Sequence, residues 1–176
     1  MLTESHQNYF ELLGLPQKFS IDSTVLDQNY RRLQSEVHPD RFAAAPSADR
    51  LRSMQLATEA NEAYRTLKNP TARARYLLHL HGMEVNEESN TVMPAEFLML
   101  QMEWRESIED AKAEHDVAAL EKLLKKAQQE ARTIQENLGN LLDNAELEEA
   151  ASSVRKLSFI DKICSDIEQD LIRLED

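Results

Sequence analysis

One cysteine, three glycines and five prolines in 176 residues leave little from which to build anything but helices. The lone Cys164 excludes an internal disulfide and a cysteine-rich metal site. Scarce glycine and proline, beside abundant Ala, Leu, Glu, Gln and Lys, argue for an all-α chain. No apolar run approaches the roughly 18 residues that a membrane-spanning helix requires. The opening Met1-Leu-Thr-Glu-Ser-His-Gln lacks both the basic end and the apolar core of a secretory signal, so a cytoplasmic protein with no membrane partner is expected. Also missing are a Gly-rich phosphate loop, a nucleophile elbow and a zinc-protease helix, and no enzyme is expected. His79 and His81, two apart on a helix, point to different sides; no metal and no cofactor are expected.

Positive charge is short in one half only. Residues 1–82 hold ten Lys and Arg against nine Asp and Glu, a balance of +1, while residues 83–176 hold ten against 23, a balance of −13. An acidic half of this size argues against nucleic acid as a partner. The polar run Asn86, Glu87, Glu88, Ser89, Asn90 has no apolar period, so the expected division is 1–82, a linker over 83–93, and a second domain over 94–176.

Within the first part, a short helix near Gln7 to Leu13 ends at Gly14. Asp22 can cap a second helix, about Thr24 to Val37, whose stripe Leu26, Tyr30, Leu33, Val37 faces inward. A third, about Ala48 to Leu67, answers with Leu56, Ala60, Ala63, Leu67, and a fourth runs from Thr71 to about Leu80 before Gly82. Between the second and third, Pro39 breaks the helix and leaves His38-Pro39-Asp40 on a rigid loop facing water, with Arg31, Arg32 and Arg41 close by. Three helices are expected in the second part: about Ala95 to Ala113, Val117 to Leu138 with Gly139-Asn140 ending it, and Ala145 to Leu174. The last carries the seam Leu157, Ile160, Cys164, Ile167, Leu171, Leu174, which suits an antiparallel three-helix bundle.

The helix opening that bundle is apolar on too many sides. At about 100° per residue, Phe97, Leu100, Trp104, Ile108 and Ala111 gather on the core face. Leu98, Met99 and Met102 fall opposite, beside Glu103, Glu106 and Asp110. Such a patch, rimmed by carboxylates, reads as a docking surface with adaptable thioethers. Phe159, well off its own helix's seam, either extends it or is one of the scattered apolar residues that a bundle surface tolerates.

The order Asn8-Tyr-Phe-Glu-Leu-Leu-Gly-Leu-Pro16, a helix carrying Arg31 and Arg32, then Val37-His-Pro-Asp-Arg-Phe42, then a long helix resembles the J-domain family. With Arg73-Ala-Arg-Tyr-Leu-Leu-His-Leu-His-Gly82, Ala95-Glu-Phe-Leu-Met99 and Val154-Arg-Lys-Leu-Ser-Phe-Ile-Asp-Lys162, the whole chain resembles the HscB family of iron–sulfur co-chaperones, a J-domain joined to a three-helix bundle. That resemblance implies a specialised, HscA-like Hsp70 contacted through His38, Pro39 and Asp40, with Arg31, Arg32 and Arg41 in support. It also implies an IscU-like scaffold bound by Leu98, Met99, Met102, Glu103, Glu106, Asp110 and Phe159. Val37 stands where the family pattern often has Tyr, and Ser35-Glu36 are not basic, which implies modest affinity for the Hsp70.

Overall fold

The computed structural model describes residues 8–86 and 93–175. Its elements are α1 (Tyr9–Leu12), α2 (Ser23–Val37), a 3-10 turn (Pro39–Phe42), α3 (Ser47–Lys68), α4 (Pro70–Leu80), α5 (Ala95–Ala113), α6 (Val117–Asp143) and α7 (Leu147–Glu175), with no strand among the described residues. The chain divides into two compact units, Met1–Leu77 and Leu78–Asp176, so the division falls inside α4 and ahead of residue 83. Residues 87–92 of the expected linker lie outside the described residues.

In the first unit α2 starts where Asp22 Oδ1 accepts from the amides of Thr24 and Val25, two of the donors that a helix start leaves unpaired. Leu26 and Val37 are buried, Tyr30 and Leu33 half-buried, and the buried Ala60, Ala63 and Leu67 of α3 let the two backbones approach. Polar contacts then fix the register of this hairpin: the Tyr30 and Tyr64 rings stack at 4.1 Å, and Asp27 accepts from Tyr64 Oη at 2.8 Å and Lys68 Nζ at 2.7 Å. The hydrogen bond from Lys68, then that from Tyr64, lowers the Asp27 pKa, while the bond to Asp27 raises that of Lys68.

Arg73 of α4 is buried, donates from Nη1 to the Leu67 carbonyl at 2.6 Å and lies 4.9 Å from the Phe19 ring centroid. It therefore satisfies the end of α3, and desolvation pushes its pKa down. Tyr76 stacks on Tyr9 at 4.6 Å and its hydroxyl accepts from the Tyr9 amide at 3.0 Å, which seats α1.

In the second unit α6 and α7 form the main pair, α5 packs on α6, and the α5–α7 seam is the sparsest. Leu120, Ala127, Leu138, Val154, Leu157, Ile160 and Ile167 are fully buried. Two expectations change. Gly139 does not end α6, which continues to Asp143, because the buried Leu138 and Leu142 keep the apolar period running past it. The seam of α7 runs through Ile163 and Asp170, while Cys164, Leu171 and Leu174 are half-buried; a period of 3.6 drifts away from an even three-four alternation over eight turns.

Four helix ends share one geometry. After α1, α4, α5 and α6 the chain takes a left-handed residue at Gly14, Gly82, His115 and Ala145, with φ of 64°, 81°, 54° and 56°. In each the next amide reaches back five residues, as from Leu15 to the Phe10 carbonyl at 2.8 Å and from Glu146 to that of Leu141 at 2.8 Å.

Candidate functional site

Each unit carries one candidate surface. The first is the break after α2. Val37 is buried and its carbonyl accepts from Ser53 Oγ of α3 at 2.8 Å, the serine being fully buried. Arg41 folds back and donates from Nη1 to the Ser35 carbonyl at 3.2 Å. Two of the carbonyls that a helix end leaves unpaired are thus satisfied by side chains. His38 leaves the helix with ψ of 130°, as proline at the next position demands, and Pro39 opens a single 3-10 turn.

That turn orders the functional groups. The Asp40 amide donates to His38 Nδ1 at 3.2 Å, so Nδ1 is the acceptor, which in the neutral ring leaves the N–H at Nε2. The Asp40 carboxylate lies 3.6 Å from the same nitrogen, too far for a hydrogen bond. With the Asp40 side chain 93% exposed and that of His38 52% exposed, both are open to a partner. Arg31 and Arg32 are exposed on α2; Arg32 donates to Asn29 Oδ1 at 3.1 Å, and Asn29 in turn donates to the Leu13 carbonyl at 2.8 Å. The turn offers a carboxylate acceptor, an imidazole donor and guanidinium charge, held in place by Pro39 and Ser53.

Ser53 was not among the residues the sequence singled out. It continues the α3 stripe three residues before Leu56 and seven before Ala60, and a serine on an apolar stripe is the signal of a buried hydroxyl with a partner.

The second surface lies on α5. Phe97, Trp104, Ile108 and Ala111 are buried and Leu100 is half-buried, as the helical period requires. On the far side Met99 is 63% and Met102 72% exposed, Leu98 is half-buried, and Glu103, Glu106 and Asp110 are exposed. These six residues share a face. Phe159 belongs to different surroundings: half-buried on α7, it meets the Phe97 ring edge-on at 5.8 Å, stacks with Trp104 at 6.5 Å and carries the Arg105 guanidinium 5.6 Å from its centroid. Its ring joins α7 to the core side of α5. Lower down, Lys112 of α5 lies 3.5 Å from the buried Asp170 of α7 and bonds Glu109 at 3.1 Å; those carboxylates, Glu109 first, raise the lysine's pKa. Burial, with Asp161 and Glu168 nearby, pushes the Cys164 thiol up to about 11, which keeps it from being a nucleophile near neutral pH.

His79 pairs through Nδ1 with Glu84 Oε1. Among the described residues no group of three or more His, Cys, Asp or Glu could hold a metal ion, and no helix is long and apolar enough to cross a membrane.

The chain's relatives carry the same two parts. Residues 8–76 match the DnaJ domain family, and residues 93–168 match the family described as the HSCB C-terminal oligomerisation domain. The "Co-chaperone protein HscB homolog" of Burkholderia cenocepacia is 50% identical over 174 residues, covering 99% of this chain and 98% of the relative. Its counterpart in Paraburkholderia xenovorans is 49% identical over the same shares. Among solved structures, the chaperone HscB from Vibrio cholerae superposes with a TM-score of 0.86 at 41% identity, covering 96% of this chain and 99% of that one. Human co-chaperone HscB gives 0.88 at 29%, covering 94% and 83%. A J-domain fold, a matching second domain and full-length identity of this order place the chain in the HscB family of J-domain co-chaperones, which is not a family of enzymes.

Proposed function

We propose that this co-chaperone stimulates ATP hydrolysis by an HscA-like Hsp70 and brings an IscU-like iron–sulfur scaffold to it, in the cytoplasm, with residues 83–93 connecting the two working parts. His38, Pro39 and Asp40 contact the Hsp70, with Arg31, Arg32 and Arg41 supplying positive potential. Leu98, Met99, Met102, Glu103, Glu106 and Asp110 take the scaffold, and Phe159 borders that surface. The observation that carries the reading is the solvent-facing Asp40 carboxylate beside a His38 ring whose tautomer is fixed by the Asp40 amide.

Stimulation requires only that the turn bind one conformation of the Hsp70 better than another. A preference for the hydrolysis-competent state shifts its population by the difference in affinity and no more. Pre-organisation by Pro39 lowers the ordering cost of that contact, and Asp40 accepts charge-assisted hydrogen bonds from a cationic partner group. A scaffold held on α5 raises the local concentration of the client beside the same Hsp70. Steady-state ATP hydrolysis by the Hsp70 at fixed salt, with this protein titrated in alone and with scaffold, tests both halves. The expected result is stimulation that rises more than additively with scaffold. Stimulation indifferent to scaffold removes the client assignment, and no stimulation in either condition removes the whole reading.

A further inference from the structure

The chain holds one cysteine against six methionines, so its sulfur chemistry rests on thioethers. Cys164 is half-buried and its thiol is pushed up to about 11, which leaves scarcely any thiolate to meet an oxidant. A thioether needs no deprotonation and is oxidised wherever its sulfur is exposed. Met83 and Met93 are half-buried, and Met1 lies outside the described residues. Met54 of α3 is 57% exposed, while Met99 and Met102, three apart on α5, are 63% and 72% exposed. Among the described residues, the two methionines most open to an oxidant therefore share one helix face.

The rim of that face offers an oxidised sulfur no donor. Glu103 follows Met99 by four residues and Glu106 follows Met102 by four, so the neighbour one turn on is an exposed carboxylate in each case. Arg105, three residues after Met102, carries its guanidinium over the Phe159 ring instead. A sulfoxide oxygen is a hydrogen-bond acceptor with partial negative charge, and the carboxylates beside it are acceptors too. In the free protein water supplies the missing donor, so the helix is undisturbed. Under a partner the water is expelled, and a surface that packed against a thioether presents no donor to the new oxygen. Oxidation here penalises docking and spares the fold.

We propose that Met99 and Met102 are sites of reversible oxidation to methionine sulfoxide by hydrogen peroxide, and that this modification releases the scaffold from α5. The inference rests on the scaffold reading above. In the oxidation the thioether sulfur attacks one peroxide oxygen, an S–O bond forms as the O–O bond breaks, and the proton on the transferred oxygen passes to the departing hydroxide to give water. The sulfur loses two electrons and the peroxide gains them. A thiol-dependent sulfoxide reductase returns the two electrons, and the oxygen leaves as water. Delivery of the client thus falls while the oxidant persists and resumes on repair.

The test treats the full chain with hydrogen peroxide, removes the oxidant with catalase, maps the added oxygen by tandem mass spectrometry and titrates the protein calorimetrically with cluster-free IscU-like scaffold. Met54, Met99 and Met102 are expected to gain oxygen ahead of Met83 and Met93. Scaffold affinity is expected to fall about tenfold or more, in step with sulfoxide at Met99 and Met102 and not with that at Met54. Saturating scaffold present during the treatment should protect Met99 and Met102 and leave Met54 open. Methionine sulfoxide reductase should restore the affinity of the treated protein. A Met99→Leu/Met102→Leu variant should show the same affinity before and after treatment, whereas Met54→Leu should lose affinity as wild type does. Wild type that keeps its affinity with both thioethers oxidised, or a Met99/Met102 variant that loses it on treatment, overturns the proposal and leaves the scaffold reading intact. No scaffold binding by untreated wild type removes that reading and the proposal with it. Helical circular dichroism melts of treated and untreated protein should coincide, because both side chains are outside the core; a lowered melt would assign the loss to unfolding and overturn the proposal.

Discussion

The His38 turn and the α5 face, the two surfaces proposed to hold partners, are built in opposite ways. At the turn the backbone is fixed by local contacts: Pro39 sets the torsion, the Asp40 amide bonds His38 Nδ1, and Ser53 and Arg41 close the helix end. On α5 only the helix itself is fixed. Met99 and Met102 are exposed, with the exposed carboxylates of Glu103, Glu106 and Asp110 on the same face. A rigid turn suits a partner that must be recognised in one conformation among several, and a thioether face suits one whose surface is to be gripped with tolerance.

If the two surfaces are independent, one change at each should separate the activities completely. Asp40→Asn keeps the shape and the amide bond to His38 but removes the charged acceptor. ATPase stimulation is expected to fall to the basal rate while scaffold affinity, read by calorimetry, stays within about twofold; breaking a charge-assisted contact costs more than breaking a neutral one. Met99→Ala with Met102→Ala is expected to do the reverse. Scaffold affinity should drop by about ten- to a hundredfold, on the order of 1.4–2.8 kcal/mol for two truncated anchors, with stimulation in the absence of scaffold unchanged. A folded variant that loses both activities would break the comparison, since two separate surfaces leave no physical route for it.

Ser53→Ala sharpens the comparison from the structural side. The substitution leaves the Val37 carbonyl without its buried donor, a cost of about 1–3 kcal/mol. The thermal midpoint of the first unit should fall by several degrees. Half-maximal ATPase stimulation should require more protein, because the turn loses one of its tethers while Asp40 remains. Scaffold affinity should not move. An unchanged melting curve would mean that water replaces the hydroxyl at no cost.

Most of this architecture was legible because helical period and cap chemistry are local. Asp22, Gly14, Pro39 and Gly82 each mark an end by a mechanism that needs no tertiary knowledge, and the helix limits fall within two residues of those marks. The α5 face was legible too, as an excess of apolar residues over what one core stripe can bury. What escaped was decided by distant parts of the chain. Gly139 has the local signature of a helix end, yet Leu138 and Leu142 are buried and override it. Phe159 sits off its seam and so reads as surface, but Phe97 and Trp104 of another helix come to meet it. Ser53, on the apolar stripe of α3, signals a buried hydroxyl but not which carbonyl it satisfies, and Arg41 carries no signal of folding back to Ser35, because both partners are fixed only when the helices come together.

The smallest expected effect lies away from both surfaces, at Ala145. Its φ of 56° is left-handed, a conformation costing an L residue about 1–2 kcal/mol, and the close of α6 demands it because the Glu146 amide must reach the Leu141 carbonyl. Glycine accepts that torsion freely but adds freedom to the unfolded chain, which returns about 0.5–1 kcal/mol of the gain. Ala145→Gly should therefore stabilise the bundle by about 0.5–1 kcal/mol, visible as a denaturant midpoint moved upward at an unchanged slope. Gly14→Ala is the mirror experiment, placing a Cβ on a φ of 64° within 3.4 Å of Asn29 Nδ2, and should destabilise the first unit. Because Ala145 touches neither surface, ATPase stimulation and scaffold affinity should both stay at wild-type values. A shift in scaffold affinity with Ala145→Gly would mean that the docking face responds to the stability of the bundle as a whole, and would move the definition of that face from its side chains to the helices beneath them.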